Sequence, residues 1–224
     1  SSRRQRVMLQ VETGDEREGV PVEQLADLAA AVSLEPRLEL AGLATNYACF
    51  RGAPAGIRWS VDTVCKAARE LRAGGIPVPR VSAGNSSVLA LILRGDSLPS
   101  EVTELRCGEA LLLGQEALSY QPIPGCRQDA CLLRAEVVEE YTKPTPAQGK
   151  RRLVLSIGRQ DLGSGAVRFT QPGLNEIGRS SDYLVVEVDP EAPRIRSGQM
   201  VEMIPSYEAL VAAWTSPYVE LALR

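Results

Sequence analysis

The clearest structural signal in this chain is residues 78–93, which read VPRVSAGNSSVLALIL. Val78–Ser82 predicts a short strand, and the apolar segment Ser87–Leu93 predicts a short helix. The turn between them contains glycine, asparagine and serine, which are typical of a loop between two elements. A strand, a small polar turn and a helix in this order indicate one βα unit of a parallel α/β fold.

The same alternation extends outward on both sides of this unit. Further strands are predicted at Arg6–Val11, Leu38–Ala44 and Val102–Cys107, and helices at Val22–Val32 and Val61–Arg72. Four strands alternating with three helices predict parallel pairing, in which functional groups gather beyond the carboxyl ends of the strands. The polar motifs stand at those ends: TGDEREG (13–19), TNYACF (45–50), SAGNSS (82–87) and RCGE (106–109).

The pattern changes near residue 125. Short β-type runs follow, separated by turns that contain proline and glycine. These runs are Cys131–Glu139, Arg152–Ile157, Tyr183–Val188 and Gln199–Ile204. We therefore predict the fold class α/β plus β, with an α/β domain over residues 1–124 and a β-rich domain over residues 125–224.

Composition narrows the functional classes. The 224 residues carry a formal net charge of −3 with a pI of about 5.3, which provides no basic surface for nucleic acid. No apolar run approaches the roughly 18 residues of a membrane span, so no membrane association is expected. The five cysteines are odd in number and form no Cys-x-x-Cys pair, which favours reduced thiols in a cytoplasm. The absence of histidine excludes histidine-based triads, and no metal site is predicted.

Three polar features at the predicted strand ends have both a functional and a structural interpretation. Residues 84–87 precede a helix, so their N–H groups and hydroxyls suit a phosphate, although serine is also an ordinary N-cap. Gly108 allows an anion to approach the backbone closely, and the alternative is a strand end at which Arg106 forms an ion pair. Arg17 either binds a ligand or pairs with a neighbouring glutamate. The order and spacing of these features favour the functional interpretation.

Together these motifs resemble the alanine racemase superfamily, the fold-type III enzymes that use pyridoxal 5'-phosphate (PLP), and most closely its ornithine/alanine racemase branch. The resemblance covers nearly the whole chain. The matching stretches are ETGDEREG (12–19), GLATNYACF (42–50), SAGNSS (82–87), LRCGEALLLG (105–114), IGRQD (157–161), GRSSD (178–182) and TSPYV (215–219). It implies that residues 1–124 form the C-terminal half of a PLP-binding (β/α)8 TIM-type barrel, about strands 5–8.

The resemblance also implies roles for the polar residues near the strand ends. Arg106 would face the pyridine nitrogen of PLP and keep the ring a weaker electron sink. Arg17 would approach the ring or the substrate carboxylate, and Asn46 stands where alanine racemases have a histidine packed near that arginine. The cofactor phosphate would be held by Asn85, Ser86, Ser87, Gly108 and Glu109, the last two through their backbone.

The second domain departs from the family pattern at the position of a catalytic tyrosine. This chain has Arg159 there, so the second acid/base has to be another group. Cys49 is the candidate, with a buried apolar role as its alternative, and Arg106 is the other predicted catalytic residue. The residues predicted to bind the substrate are Arg159, Asp161, Ser181 and Asp182, of which Asp161 could pair with a distal ammonium such as that of ornithine.

A further departure concerns lysine. The family's PLP lysine lies at the end of the first barrel strand, and none of the three lysines here, Lys66, Lys143 and Lys150, matches it. A complete barrel needs eight strands in roughly 250 residues, whereas about four are predicted. We therefore expect a fragment of a longer chain, a proteolytic product, or one piece that pairs with another polypeptide.

The expected function is a PLP-dependent amino-acid racemase, an isomerase that interconverts the L and D enantiomers of ornithine, alanine or a similar amino acid. Racemisation needs a proton-transfer group on each face, and the PLP lysine would serve one, so these residues alone are predicted to be inactive. The alternatives are a non-catalytic PLP-binding protein and a structural partner subunit of the same fold. The expected partners are the small-molecule amino acid and either an identical subunit, in a homodimer with shared active sites, or a missing N-terminal half.

Overall fold

The chain divides into two units, residues 1–126 and 127–224, each with its own hydrophobic core. The structure is a computed structural model that describes residues 4–49, 54–142 and 150–223. The first unit contains a parallel sheet with helices, and the second contains an antiparallel sheet. The change from parallel to antiparallel pairing therefore separates the α/β pattern from the β-rich pattern that the sequence predicts.

The first unit is built around three parallel strands in the order β1-β2-β3. Its elements are β1 (Gln5–Val11), α1 (Val22–Leu34), β2 (Leu38–Thr45), α2 (Ile57–Ala73), β3 (Arg80–Ala83), α3 (Leu89–Leu93) and α4 (Glu109–Leu113), with 3-10 turns at Pro54–Gly56 and Ser86–Val88. The parallel pairing follows from the helices α1 and α2, each of which returns the chain to the start of the next strand.

Helix α2 shows how the sequence pattern organises this unit. Its buried residues recur every three or four positions, so that one stripe along the helix is apolar. The stripe joins the same core as Leu43 of β2 and Val81 of β3. The helix ends at Ala73 with Gly74 as its C-cap, and Gly75 takes a left-handed φ of 83°, a conformation that favours glycine. The hydrophobic periodicity therefore fixes which face of the sheet is covered.

The fourth strand predicted in this unit, Val102–Cys107, is wrong as a regular strand. It is reduced to an isolated parallel bridge between Ser82 and Glu104. The reason is local: the Thr103 hydroxyl accepts a hydrogen bond from the Val81 N–H at 3.0 Å, in the place that a backbone carbonyl would occupy in a ladder. The segment follows β3 without forming a continuous strand.

The second unit contains six antiparallel strands in the order β6-β9-β4-β5-β8-β7. Its elements are β4 (Leu133–Thr142), β5 (Arg151–Leu155), α5 (Arg159–Leu162), β6 (Val167–Phe169), β7 (Leu174–Arg179), β8 (Leu184–Val188), β9 (Met200–Pro205) and α6 (Tyr207–Thr215). Four of these strands lie where the sequence predicts strands. The short edge strands β6 and β7 and the helices α5 and α6 were not predicted.

A buried carboxylate holds the loop that follows α4. Glu116 accepts a hydrogen bond from the Leu118 N–H at 2.8 Å and others from the N–H and hydroxyl of Ser119. Burial alone would raise the pKa of Glu116, but these hydrogen bonds outweigh it and hold the pKa below its ordinary value. The ionised carboxylate therefore stabilises this loop.

Replacing Glu116 with glutamine should lower the free energy of unfolding by about 1–2 kcal/mol at pH 7. A folded-state pKa below the unfolded value gives stability that is present above the unfolded pKa and is lost as pH falls through the folded pKa. The difference between the wild type and Glu116→Gln should therefore shrink in acid. Urea unfolding at pH 7 and near pH 4 measures it, and an equal difference at both pH values would contradict the role of the ionised group.

Candidate functional site

The carboxyl ends of the three parallel strands lie in one row. The register pairs Val11 with Thr45 and Thr45 with Ala83, so the loops that follow the strands start from the same edge of the sheet. The N–H of Arg106 donates to the Gly84 carbonyl at 2.9 Å and brings the fourth motif to this edge. All four polar motifs identified in the sequence therefore meet at one edge, where α/β folds place their chemistry.

The side chain of Arg106 forms hydrogen bonds with three residues at this edge. Its Nη2 donates to the Thr45 carbonyl at 2.8 Å and to Oδ1 of Asn46 at 2.6 Å. Its Nη1 donates to the buried hydroxyl of Ser82. The Nε–H has no hydrogen-bond partner among the described residues. The guanidinium is thus oriented by two of its nitrogens, and the third is available to a ligand.

The surroundings of the Arg106 guanidinium affect its charge only slightly. Burial lowers the pKa of Arg106, and the positive charge of Arg17 acts in the same direction. The carboxylates of Glu104 and Glu18 oppose the decrease. Because an arginine remains protonated in proteins, Arg106 is a fixed cation at the strand ends.

A second arginine, Arg17, is held at the same edge by acidic side chains. Its Nη2 donates to Oε1 of Glu18 at 2.8 Å and its Nε to the other oxygen, a bidentate pair. Its Nη1 donates to Sγ of Cys49 at 3.2 Å, and a carboxylate oxygen of Asp15 lies 3.6 Å from Nε. The hydrogen bonds between Arg17 and Glu18 raise the pKa of the arginine and lower the pKa of the glutamate. All three nitrogens of Arg17 are therefore occupied within the protein.

Asn46 connects the two arginines. Its Nδ2 donates to Oε1 of Glu18 at 2.8 Å, and its Oδ1 accepts from Nη2 of Arg106 at 2.6 Å. The two ends of the amide meet partners of opposite charge, which fixes the orientation of the side chain. Arg17, Glu18, Asn46 and Arg106 form one continuous hydrogen-bonded path, which we call the arginine relay.

Cys49 lies beside the arginine relay with its side chain exposed. In addition to the contact from Arg17, the Cys49 N–H donates to Oδ1 of Asp15 at 3.1 Å. The preceding residue, Ala48, has a left-handed φ of 56°, which is uncommon for a residue with a Cβ. The alternative of a buried apolar cysteine is therefore wrong, because the thiol faces outward next to a guanidinium. Phe50, which follows it, lies outside the described residues.

The turn after β3 is closed by its own polar side chains. Oδ1 of Asn85 accepts from the Ser87 N–H at 2.9 Å and caps the 3-10 turn. The Ser87 hydroxyl donates to the Tyr47 carbonyl at 3.0 Å, and the Ser86 hydroxyl accepts from the Ala110 N–H at 3.4 Å. Asn85 and Ser87 therefore hold the turn in place, while Ser86 connects it to the start of α4.

Among the backbone donors of these turns, the N–H groups of Ser86 and Gly108 have no hydrogen-bond partner within the described part of the chain. A Cβ built on Gly108 meets no atom within 4 Å, so the space beside this glycine is open. Glu109 follows directly as the first residue of α4. Two N–H donors, a serine hydroxyl and open space together fit a phosphate group. We call Ser86, Gly108 and Glu109 the phosphate turns.

In the second unit, two of the predicted substrate-binding stretches lie side by side. The N–H of Arg159 donates to the Ser180 carbonyl at 2.9 Å, and the N–H of Gln160 donates to the Ser181 carbonyl at 3.1 Å. Arg159, Ser181 and Asp182 are all exposed. The structure thus brings these three predicted residues together on one surface of the unit.

Asp161 is placed differently from its prediction. The carboxylate is buried, with Oδ1 accepting from the Ser216 hydroxyl at 2.7 Å and Oδ2 accepting from the Gly158 N–H at 3.2 Å. The second bond belongs to the N-cap of α5. Because both oxygens are used inside the unit, the geometry assigns Asp161 a structural role and does not present it to a substrate ammonium.

The two described lysines have their own partners. Lys66 lies on the exposed face of α2 with its Nζ 3.7 Å from Glu70, and Lys150 pairs with Glu187 in the second unit. Lys143 lies outside the described residues. No described lysine therefore belongs to the arginine relay or to the phosphate turns.

Sequence analysis missed several contributors to this site. The sequence suggests a neighbouring glutamate only as an ion-pair partner of Arg17, whereas the Glu18 carboxylate binds both Arg17 and Asn46. The hydroxyl of Ser82 and the carbonyl of Thr45 were not identified as partners of Arg106. Such partners are far apart in the sequence. The signal that could have pointed to Ser82 and Thr45 was their position inside the motifs that match the family.

Two further findings concern the described residues as a whole. None of the helices in the described ranges is both long and apolar enough to cross a membrane. Within the same ranges, no three metal-binding side chains come close enough to hold an ion. The described residues bring guanidinium, carboxylate, amide, hydroxyl, thiol and backbone N–H groups to the site.

Comparison with known proteins identifies the family. The family model described as alanine racemase, N-terminal domain, matches residues 1–116. The chain is 31% identical over 237 residues to the ornithine racemase of Acetoanaerobium sticklandii, covering 97% of this chain and 67% of that protein. It is 27% identical over 238 residues to the lysine racemase of Thermotoga maritima, covering 96% of this chain and 64% of that protein. The chain belongs to the alanine racemase N-terminal domain family, which confirms the resemblance seen in its motifs.

A solved structure gives the same result for the fold. The D-threonine aldolase from Filomicrobium marinum superimposes with a TM-score of 0.69 at 19% sequence identity. The superposition covers 93% of this chain and 56% of the aldolase chain. At this identity the similarity concerns the fold alone. The chain spans about two thirds of the length of its curated relatives and just over half of the aldolase.

Proposed function

We propose that this chain binds PLP and provides the phosphate- and ring-binding part of an amino-acid racemase site. The observation that carries the proposal is the single row of strand ends, which gathers the phosphate turns and Arg106 at one edge. Membership of the alanine racemase family supports the reaction class. The relatives named ornithine racemase and lysine racemase make a basic amino acid the best-supported substrate.

The residues present fit the cofactor at two points. The N–H groups of Ser86 and Gly108 and the Ser86 hydroxyl would hold the phosphate, with the backbone of Glu109 beside them. Arg106 would donate its available Nε–H to the pyridine nitrogen. When bound, PLP supplies an electron sink for the Cα–H bond of an amino acid. The chain's own contribution is to bind and orient this group.

Cys49 remains the candidate for proton transfer in this chain. Its thiol is exposed, and Arg17 donates to Sγ, so the sulfur has a fixed position at the strand ends. Asp15 holds the backbone of the same loop. A thiol in such a place can donate its proton, and the resulting thiolate can accept one back at Sγ. In the second unit, Arg159, Ser181 and Asp182 are the candidates for contact with the substrate.

A second candidate function is PLP binding without turnover, and the placement of the two described lysines favours it. Lys66 and Lys150 are engaged in ion pairs with Glu70 and Glu187, and neither lies at the phosphate turns. PLP bound by hydrogen bonds alone would leave on dialysis. We therefore expect reversible binding and no racemisation of ornithine or lysine by these 224 residues alone. Racemisation by a chain extended to include the family's PLP lysine, with PLP retained through dialysis, would favour the first candidate.

The phosphate turns are tested by calorimetric titration with PLP and with inorganic phosphate. The double variant Ser86→Ala/Gly108→Val removes one hydroxyl and fills the open space beside the glycine, whose backbone φ of −114° tolerates a side chain. Affinity for both ligands should fall by at least about tenfold, since hydrogen bonds to a charged group contribute roughly 1.5–3 kcal/mol.

The matched control is Ser100→Ala/Gly74→Ala. Ser100 is exposed and lies outside the site, and a Cβ on Gly74 makes only ordinary contacts, 3.4 Å or more from its neighbours. This control should bind both ligands like the wild type. If Ser86→Ala/Gly108→Val and the control bound phosphate equally well, the phosphate turns would be misassigned.

A further inference from the structure

The carboxylate of Glu18 lies at the centre of the arginine relay. Its Oε1 accepts from Nη2 of Arg17 at 2.8 Å and from Nδ2 of Asn46 at 2.8 Å, while its other oxygen accepts from Nε of Arg17. The Glu18 side chain keeps 44% of its surface exposed, so packing does little to hold it. These hydrogen bonds therefore determine where the carboxylate stands.

One oxygen atom of Glu18 thus links a guanidinium to an amide. Because Nδ2 of Asn46 is held by Glu18, its Oδ1 is directed at Arg106. Without this acceptor the amide is free to turn over, and it would then present a donor to the Arg106 guanidinium, which has only donors. Nη2 of Arg106 would retain the Thr45 carbonyl as its only acceptor. The orientation of Arg106 therefore depends on a residue that it does not touch.

We propose that Glu18 is a positioning residue for the cofactor ring. It acts through Asn46 on Arg106, the residue whose Nε–H is available to the ring, and its hydrogen bonds among the described residues all lie within the arginine relay. This inference rests on the proposed function, because it assigns the group that prepares the ring-facing arginine. The same carboxylate occupies two nitrogens of Arg17, so of the two arginines in the relay Arg106 is the one left to meet the ligand.

The test separates the ring from the phosphate by using two probes on the full chain, PLP and inorganic phosphate, in calorimetric titrations. Glu18→Leu should weaken PLP binding by about tenfold, while inorganic phosphate binding stays within about twofold of the wild type. Glu70→Leu, which removes an exposed ion-paired carboxylate from α2, is the matched control and should change neither affinity. Circular dichroism checks that each variant is folded.

The possible outcomes are distinct. If the wild type binds neither probe, the proposed function fails. If the wild type binds both but Glu18→Leu lowers both affinities equally, or changes neither, the positioning role is overturned and the proposed function stands. A loss confined to PLP supports the role, since a general effect on folding would weaken both ligands.

A double-mutant cycle tests the route through Asn46. Asn46→Ala should reproduce the PLP-specific loss, and Glu18→Leu/Asn46→Ala should lose no more than either single variant, because the two residues act in series. Glu18→Gln retains an oxygen acceptor for the amide and should bind PLP within about threefold of the wild type. Additive losses in the double variant, or a Glu18→Gln variant as weak as Glu18→Leu, would exclude the relay.

Discussion

Replacing Gly158 with valine should destabilise the second unit by about 3 kcal/mol or more. A Cβ at this position would lie 2.2 Å from the Ser181 carbonyl oxygen and 2.6 Å from the carbonyl carbon of Asp182. Both atoms belong to the backbone, so no side chain can rotate away to relieve the contact. The forced movement would also disturb the Gly158 N–H bond to Asp161 at the start of α5.

Urea unfolding measures this effect. The chain has two tryptophans, Trp59 in the first unit and Trp214 in the second, so a Trp59→Phe background makes the fluorescence report on the second unit alone. Gly178→Val is the matched control: it is a glycine of β7 in the same unit, and its added Cβ would meet no atom within 4 Å. Its free energy of unfolding should stay within about 1 kcal/mol of the parent. Equal losses at both glycines would show that the close approach at Gly158 is unimportant.

Replacing Arg106 with methionine should have the largest effect in the first unit. The substitution keeps much of the aliphatic stem but removes the donors to Thr45, Asn46 and Ser82. The Ser82 hydroxyl is fully buried and would lose its charged partner. Because Arg106 itself is partly exposed, we take the lower part of the usual range and expect about 2 kcal/mol of destabilisation. PLP affinity should fall by more than about tenfold.

Arg106→Lys distinguishes charge from geometry. An ammonium keeps the positive charge but cannot present the planar fork of donors that spans several acceptors, so it should recover little of the lost affinity. Arg94→Met is the matched control, because Arg94 is an exposed arginine 3.6 Å from Asp96 and outside the site. The same two measurements, urea unfolding and PLP titration, apply to all three variants. An Arg106→Met protein as stable as Arg94→Met, with wild-type PLP affinity, would contradict the role of Arg106.

The first unit could be predicted well because its signals are local. Helix α2 carries a stripe of apolar residues within one continuous segment, and such a stripe predicts both the helix and its buried face. The segment after β3 shows where this reasoning fails: its composition favours a strand, but a single hydroxyl, that of Thr103, replaces a backbone acceptor. The strand propensity of a segment does not reveal whether a side chain will replace a backbone acceptor.

The second unit was harder to predict because its edges depend on distant partners. Strand β6 has three residues and exists by pairing with β9, more than thirty positions away. A run of three residues carries no usable periodicity. Strand β7 is interrupted by a register shift between Glu176 and Gly178, which breaks the alternation of apolar and polar residues.

The candidate site also has features that could be predicted from the sequence and features that could not. Parallel pairing makes it possible to predict that the motifs meet at one edge, since strand ends in register must do so. The partner of each side chain cannot be read from the sequence: Asn46 and Arg106 are 60 positions apart, and Asp161 and Ser216 are 55 apart. For Asp161, these distant partners decide whether the carboxylate contacts a substrate or is buried at the N-terminus of α5.

The hydroxyl of Thr103 also protects the outer edge of β3. It accepts from the Val81 N–H at 3.0 Å and lies 3.3 Å from the carbonyl of the same residue. Both backbone groups that an added strand would pair with are thus already engaged. Exposed strand edges with free N–H and C=O groups recruit other extended chains and promote aggregation. This side chain, together with the backbone hydrogen bonds that join Thr103 to Val81 and Ala83 to Glu104, therefore closes this border of the sheet to strands from neighbouring molecules.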